Sequence, residues 1–204
     1  LFFWAHSLAE KFEINKSQGI GYKFQLGLAN KIIFSKWREG LGGNLKCIVT
    51  GGAACQVRLI RIFTAAGIPI MEGYGLTETS PVISVNRYDE PGRMFGSVGP
   101  LITDVEVKIA EDGEILCKGP NVMMGYYKRP DLTAQDIVND WYHTGDIGVI
   151  IDNKFLKITD RKKEGFLFSS SSTAIDMSYT CMITDDEPLA HAVLKDRILA
   201  NERL

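Results

Sequence analysis

The chain contains no apolar run approaching the roughly 18 to 20 residues that a membrane-spanning helix needs. It has no excess of basic residues: 23 Lys and Arg stand against 25 Asp and Glu, a formal charge of −2. That balance argues against nucleic acid as the main partner, because phosphate binding needs a basic face. Histidines are few, and His6, His143 and His191 are too scattered to suggest a zinc site. Cys47, Cys55, Cys117 and Cys181 include no C-x-x-C pair and read as reduced, partly buried thiols of a cytoplasmic protein. Neither G-x-x-x-x-G-K-[ST] nor G-x-G-x-x-G occurs, which excludes a P-loop protein and a Rossmann dehydrogenase of the usual kind. Leu1-Phe2-Phe3-Trp4 carries no basic leader; it does not read as a signal peptide but as a chain entered partway through. What remains is 204 residues of ordinary globular composition, 45% hydrophobic and 24% charged, enough for one large domain or one and a half smaller ones.

The patterning predicts an α/β fold in which a parallel βαβ portion is followed by an antiparallel, hairpin-rich portion. Residues 1–38 read as helical, with Leu28, Ala29, Ile32, Ile33 and Trp37 at three- and four-residue spacing and Gly40 as a stop. Residues 45–50 form a β-branched apolar run, Gly51-Gly52 follow, Val57 to Ala66 carry a helical pattern that Gly67 ends, and Ile68 to Met71 read as the next strand. Such a unit usually builds a parallel sheet. Beyond Glu72 the period becomes two: Val105, Val107 and Ile109 alternate, Glu111-Asp112-Gly113 turns, and Glu114 to Cys117 returns. A short helix is predicted from Asp131 to Val138, with Thr133 and Asp136 resembling a capping box or Asp131 capping instead. Residues 149–151 and 155–158 flank Asp152-Asn153 as a second hairpin. Residues 169–173 are a polar low-complexity run, and Pro188 to Leu204 is helix-like.

Glycine clusters stand directly after two predicted strands, Gly51-Gly52 and Gly73-Tyr74-Gly75. In an open parallel sheet, ligands bind outside the carboxyl ends of the strands, and glycine turns there let a flat ring or a phosphate approach the backbone. Tyr74 could lay its ring against a base. A hydroxyl beside a carboxylate, as in Thr77-Glu78, suits phosphate with a hard cation. Two structural turns and an exposed glutamate account for the same residues equally well. Asp146, after Thr144-Gly145, could accept hydrogen bonds from a ribose diol or simply cap a turn. The run Asp160-Arg161-Lys162-Lys163-Glu164 is, taken alone, a solvated face.

Order and spacing together say more. Glu72-Gly73-Tyr74-Gly75-Leu76-Thr77-Glu78-Thr79-Ser80-Pro81 resembles the signature of the AMP-forming acyl-CoA synthetases, the acyl-adenylate-forming superfamily. Three further blocks agree in order: residues 113–127 (G-E-L…G…G-Y), Trp141 to Asp146 (Y-x-T-G-D) and Ile158 to Lys163, the hinge block. The resemblance covers about residues 28–166, and residues 34–43 look most like long-chain fatty acid–CoA ligases.

The resemblance implies ATP or AMP, Mg2+, coenzyme A and a fatty acid as ligands. It places Gly51, Gly52 and Ala53 at the adenine and acyl region and Glu72, Gly73, Tyr74 and Gly75 around the adenine. Thr77 falls on the α-phosphate, Glu78 on Mg2+, Asp146 on the ribose, Ile158 on the base and Arg161 on the ribose or phosphate. Lys163 falls on the hinge. It also implies that residues 1–160 are the C-terminal part of the large AMP-binding domain and 161–204 an atypical start of the small one. The chain would then be the middle of a longer enzyme, without the family's upstream phosphate loop and C-terminal lysine, and inactive alone. Transfer to a carrier protein instead of coenzyme A, or a non-catalytic nucleotide-binding role, are the alternatives. A lipid substrate leaves peripheral membrane contact open; oligomeric state is not legible.

Overall fold

The computed structural model describes residues 1–88 and 91–162. The serine run, the helix-like segment after Pro188, Cys181, His191 and Lys163 lie outside the described residues.

The α/β fold is as expected: a helical, parallel portion followed by an antiparallel one. The N-terminal part is three helices, α1 (Phe2–Ala9), α2 (Ile20–Ala29) and α3 (Ser35–Gly40), the last two joined by a π-helical turn at Asn30–Phe34. Ala29 and Phe34 are fully buried and Trp37 packs against both Phe34, with ring centroids 5.0 Å apart, and Phe63 at 5.7 Å. Burying a ring such as Phe34 is worth about 1.5–3 kcal/mol. Only one half of the expected apolar stripe faces this core. Ile20, Phe24, Leu28 and Ile32 form an outward row at four-residue steps, one position around the helix from the inward row Ala29, Ile33 and Trp37.

Strand β1 (Ile48–Thr50) pairs in parallel with β2 (Ile70–Tyr74), with Ile48 opposite Ile70 and Thr50 opposite Glu72. Between them runs α4 (Val57–Ala65), which buries Ile60, Ile62 and Ala65. It ends as the sequence suggests. Gly67 adopts φ +77, its amide donates to the Thr64 carbonyl at 3.0 Å, and the Ile68 amide donates to the Phe63 carbonyl at 2.9 Å. That is a Schellman closure, which needs a residue tolerant of the left-handed region.

Strand β2 runs three residues further than predicted. Gly73 and Tyr74 are not a turn; they pair antiparallel with β3 (Ser84–Val85), Gly73 opposite Val85 and Tyr74 opposite Ser84. The 3-10 turn Thr77–Thr79 lies between these strands and is fixed by fully buried Thr79, whose hydroxyl accepts from the Leu76 amide at 2.9 Å.

A second sheet contains β4 (Gly99–Pro100), β5 (Glu106–Ile109), β6 (Glu114–Lys118), β8 (Trp141–Ile151) and β9 (Phe155–Arg161), in the order β4-β9-β8-β6-β5. The β5–β6 and β8–β9 hairpins are those the alternating pattern predicts. Ile83, Ile115, Cys117 and Leu156 are buried at its core, with Val105 beside them. Two expectations are corrected here. The predicted helix stops earlier: α5 covers Pro130–Asp136, and Ile137–Val138 are strand β7, paired to the start of β8, because their apolar side chains complete the sheet edge. Neither predicted cap acts as one. Arg129 occupies the N-cap position, the Thr133 hydroxyl accepts from the Tyr126 amide at 2.9 Å, and Asp131 pairs with Arg129 at 2.7 Å.

Thr144-Gly145 is likewise not a turn. It lies inside the eleven-residue β8, where Gly145 takes φ +71. Residues 114–116 of β6 face residues 143–147 of β8, so the pairing register shifts at this point. Such bulges re-aim side chains without ending a strand.

Candidate functional site

A cavity of about 470 Å3 opens where the carboxyl ends of β1 and β2 meet β8 and β9. Thr50 and residues 52–55 and 57 line one wall and residues 72–76 the floor; residues 96–98, Asp146, Lys157, Ile158 and Arg161 complete it. This is the place where an open parallel sheet offers a crevice.

The walls are held by buried polar groups. Glu72, buried, accepts the Cys55 amide at 3.3 Å through Oε1, which pins the loop after β1 to β2. Burial pushes the Glu72 carboxyl above its ordinary range, and the Cys55 amide only partly offsets this. Buried Asn86 donates to the Ser97 carbonyl at 2.6 Å and the Glu72 carbonyl at 3.3 Å, while its Oδ1 accepts the Met94 amide at 3.0 Å. Loop 94–98 is thereby fastened to the floor.

The floor and the far wall meet at Tyr74. Its hydroxyl donates to Asp146 Oδ2 at 2.7 Å. Burial above all, with the Asp146 carboxylate adding to it against an opposing hydrogen bond from Thr144, pushes the Tyr74 phenol far above its ordinary value, so it remains a neutral donor. Asp146 is placed by its position in β8: its amide bonds the hydroxyl of buried Thr144, which in turn donates to the Ile115 carbonyl at 2.8 Å. Arg161 lies opposite Asp146 in the β8–β9 pairing, with Nε 3.8 Å from Oδ1. Arg161 is 80% exposed, so this pair is worth little by itself. Tyr74 therefore occupies one of the roughly four acceptor positions of the Asp146 carboxylate, and Oδ1 is left for other donors.

Gly52, Ala53, Glu72, Gly73, Tyr74, Gly75, Asp146, Ile158 and Arg161 all line this cavity. Gly51, Thr77 and Glu78 do not. Glu78 sits on the adjoining 3-10 turn, where its carbonyl accepts the Met123 amide at 2.8 Å and its Oε1 lies 3.2 Å from the Tyr126 hydroxyl. The same hydroxyl is 3.0 Å from Asp136 Oδ2, and one proton serves only one of these carboxylates at a time. Tyr142 bridges the two regions electrostatically. Burial, then the charges of Glu78, Asp136 and Asp146, push its phenol up to about 12. Among the described residues no group of three or more His, Cys, Asp and Glu gathers into a metal cage. A single carboxylate fits Mg2+ all the same, since that ion is commonly held by one or two carboxylates together with substrate phosphates.

The reason for one glycine differs from the sequence expectation. A Cβ on Gly75 would come 1.8 Å from the Pro81 carbonyl oxygen. The protein's own chain, not only a ligand, requires the bare backbone there.

Sequence reasoning passed over a second polar cluster behind β8. Buried Glu114 accepts the Gly145 amide at 2.9 Å through Oε1 and Lys162 Nζ at 3.1 Å through Oε2, with His143 Nδ1 3.0 Å from Oε2. Lys162 Nζ also donates to Asp112 at 2.7 Å. Burial alone would raise the Glu114 carboxyl; the bonds from His143, Lys162 and Gly145 outweigh it and hold the group below its ordinary range. The one available signal was strand parity. Within β8, Tyr142, Thr144 and Asp146 share a face, and His143 and Gly145 share the other with Glu114.

Comparison with known proteins identifies the family. Residues 7–127 match the family model described as AMP-binding enzyme. The long-chain-fatty-acid–CoA ligase FadD15 of Mycobacterium bovis is 32% identical over 173 residues, covering 85% of this chain and 28% of that protein. A long-chain-fatty-acid–CoA ligase of Escherichia coli is 38% identical over 173 residues, covering 78% of this chain and 29% of that protein. The chain thus spans less than a third of the length of these relatives. Among solved structures, o-succinylbenzoate coenzyme A synthetase of Bacillus subtilis in complex with AMP superposes with a TM-score of 0.54 at 30% identity, over 63% of this chain and 29% of that one. The same enzyme in complex with ATP and magnesium ion gives 0.52 at 29%, over 62% and 30%. The family match takes in two of the four sequence blocks, residues 72–81 and 113–127, and with the relatives it establishes that the chain belongs to the AMP-binding enzymes.

Proposed function

We propose that this chain forms part of the nucleotide site of an ATP-dependent long-chain fatty acid–CoA ligase. The observation that carries the reading is the Tyr74–Asp146–Arg161 contact, which joins the carboxyl ends of the parallel strands to the antiparallel sheet around one cavity. The names of the relatives support the choice of acid and thiol.

In this reading the fatty acid carboxylate attacks the α-phosphorus of ATP, an acyl–O–P bond forms, and pyrophosphate leaves. The thiol of coenzyme A then attacks the acyl carbonyl and AMP leaves with its bonding electrons. Catalysis is mostly positioning and stabilisation of charge. Gly52, Ala53 and the floor formed by Glu72, Gly73, Tyr74 and Gly75 receive the adenine, with Gly51 behind them. Asp146 Oδ1 accepts from the ribose diol, Ile158 touches the base, and Arg161 reaches ribose or phosphate. Thr77 and Glu78, on the adjoining turn, serve the α-phosphate and Mg2+, which supplies charge neutralisation at the phosphates when bound. Residues 161–204, with Lys163, begin the small domain and its hinge. Among the described residues no helix is long and apolar enough to cross a membrane.

The test is AMP release by the complete protein supplied with ATP, Mg2+, coenzyme A and saturated acids of increasing length. The highest kcat/KM is expected with long acids, with the acyl thioester as product. A preference for short acids would remove the long-chain assignment, and thioester formed only on a phosphopantetheine carrier would replace coenzyme A as acceptor. Absence of AMP release with every acid would remove the ligase reading. The 204 residues alone are expected to show no ATP–pyrophosphate exchange.

Cys55 offers a check on the location of the nucleotide. It lines the cavity, and burial followed by the Glu72 charge pushes its thiol above the ordinary range. Alkylation by iodoacetamide at neutral pH is expected to be slow there, since the thiolate is the nucleophile. AMP at about ten times its Kd should slow it roughly a further tenfold, because about a tenth of the sites stay free. Residue-resolved mass spectrometry reads this out; equal rates with and without AMP would put the nucleotide elsewhere.

A further inference from the structure

The face of the antiparallel sheet turned away from Asp146 carries an arrangement with no part in the roles given above. Glu114 is 5% exposed, yet its two carboxylate oxygens meet three groups from two different strands or strand ends. One of them, the Gly145 amide, belongs to the bulge immediately before Asp146. Another, Lys162 Nζ, belongs to the residue immediately after Arg161. The two anchor points are also joined directly, the Lys162 amide donating to the Gly145 carbonyl at 2.7 Å. Gly145 takes φ +71, a left-handed conformation outside the regular strand, and its amide finds its acceptor in Glu114 at this irregularity.

We propose that Glu114 is a positioning residue that clamps the Gly145 bulge and the Lys162 end of β9 from behind, and so aims Asp146 and Arg161 into the cavity. This rests on the nucleotide reading for its functional part, but the clamp itself does not. Each anchor is the chain neighbour of a cavity-lining side chain, Gly145 of Asp146 and Lys162 of Arg161. Holding the backbone at Gly145 and the side chain of Lys162 therefore limits the positions open to Asp146 and Arg161.

The test uses the complete protein, with amide hydrogen exchange resolved by residue and AMP affinity measured by calorimetry. In Glu114→Ala, exchange at Gly145 and Lys162 should quicken about tenfold or more, the loss expected of hydrogen bonds to a charged acceptor, while Leu156, at the far end of the β8–β9 pairing, keeps its protection. AMP affinity should fall about tenfold. Glu114→Gln retains a carbonyl for the Gly145 amide but repels Lys162; it should preserve protection at Gly145 and lose it at Lys162. Lys162→Met should give the same split. A residue that merely filled space would leave the glutamine variant like the parent at both amides. That result, or unchanged exchange and affinity in Glu114→Ala, overturns the proposal. If the parent chain binds no AMP while the exchange pattern appears as described, the clamp stands and the nucleotide reading fails instead.

Discussion

Asp146→Ala is expected to weaken AMP binding by about two to four orders of magnitude. The proposed contact is a pair of hydrogen bonds from ribose hydroxyls to an ionised carboxylate. Bonds to charged acceptors are worth about 1.5–3 kcal/mol each, and about 1.4 kcal/mol corresponds to a factor of ten in Kd. The same change should also lower stability, for a separate reason. The part-buried Tyr74 hydroxyl loses its acceptor 2.7 Å away and keeps only its contact with Thr144, and a lost hydrogen bond costs about 0.5–1.5 kcal/mol. A second substitution separates the two effects. Tyr74→Phe on the Asp146→Ala background removes the hydroxyl that has lost its acceptor and should recover part of the lost thermal midpoint, while affinity for AMP stays low. Calorimetric titration and thermal unfolding of the three variants check this. An Asp146→Ala protein that binds AMP like its parent would remove the carboxylate from the ribose.

Gly75→Ala should be among the most destabilising single-methyl additions in the chain, costing about 3 kcal/mol or more. The added Cβ would lie 1.8 Å from the Pro81 carbonyl oxygen, 2.7 Å from its carbon and 2.8 Å from the Val82 Cα. These are backbone atoms, and they cannot swing aside as a side chain would. The turn between them is tied down as well, the Thr79 hydroxyl accepting from the Leu76 amide and donating to the Leu76 carbonyl. The control is Gly51→Ala, at the other glycine cluster, whose Cβ would find the Gly73 carbonyl oxygen at an ordinary 3.5 Å. It should fall within about 1 kcal/mol of the parent. Denaturant midpoints at constant m decide the matter. Equal midpoints for the two variants would contradict the close approach of chain segments seen at Gly75.

The βαβ unit and the last hairpin are readable because each has a local cause. Gly67 ends α4 through its own φ, and Asp152-Asn153 closes the last hairpin by holding two successive positive φ values. The misreadings share a different origin. Gly73-Tyr74 and Thr144-Gly145 look like turns in the sequence because a glycine that punctuates a strand and a glycine that ends one look alike there. Pairing with β3 and β6, set by residues 10 to 31 positions away, decides between them. Ile137 and Val138 continue a helical pattern by composition but finish a sheet edge by position. In the site, residues within one block were legible as a group: Glu72 to Gly75 do line the cavity. Thr77 and Glu78 follow in the same block, yet the 3-10 turn carries them off its wall. Glu114 was missed because nothing near it in sequence announces a role; its partners lie 29, 31 and 48 residues away.

The extra residues that β8 carries opposite β6 are even in number, 143–147 against 114–116. In a structure whose side chains alternate with period two, that evenness preserves the phase of the strand on either side of the irregularity. Losing one residue from this stretch would therefore do more than shorten a loop: every side chain downstream would exchange inside for outside. Length at this point is as strict a constraint as chemistry, and a homologue gaining or losing a single residue there would have to rebuild the whole outer half of the hairpin.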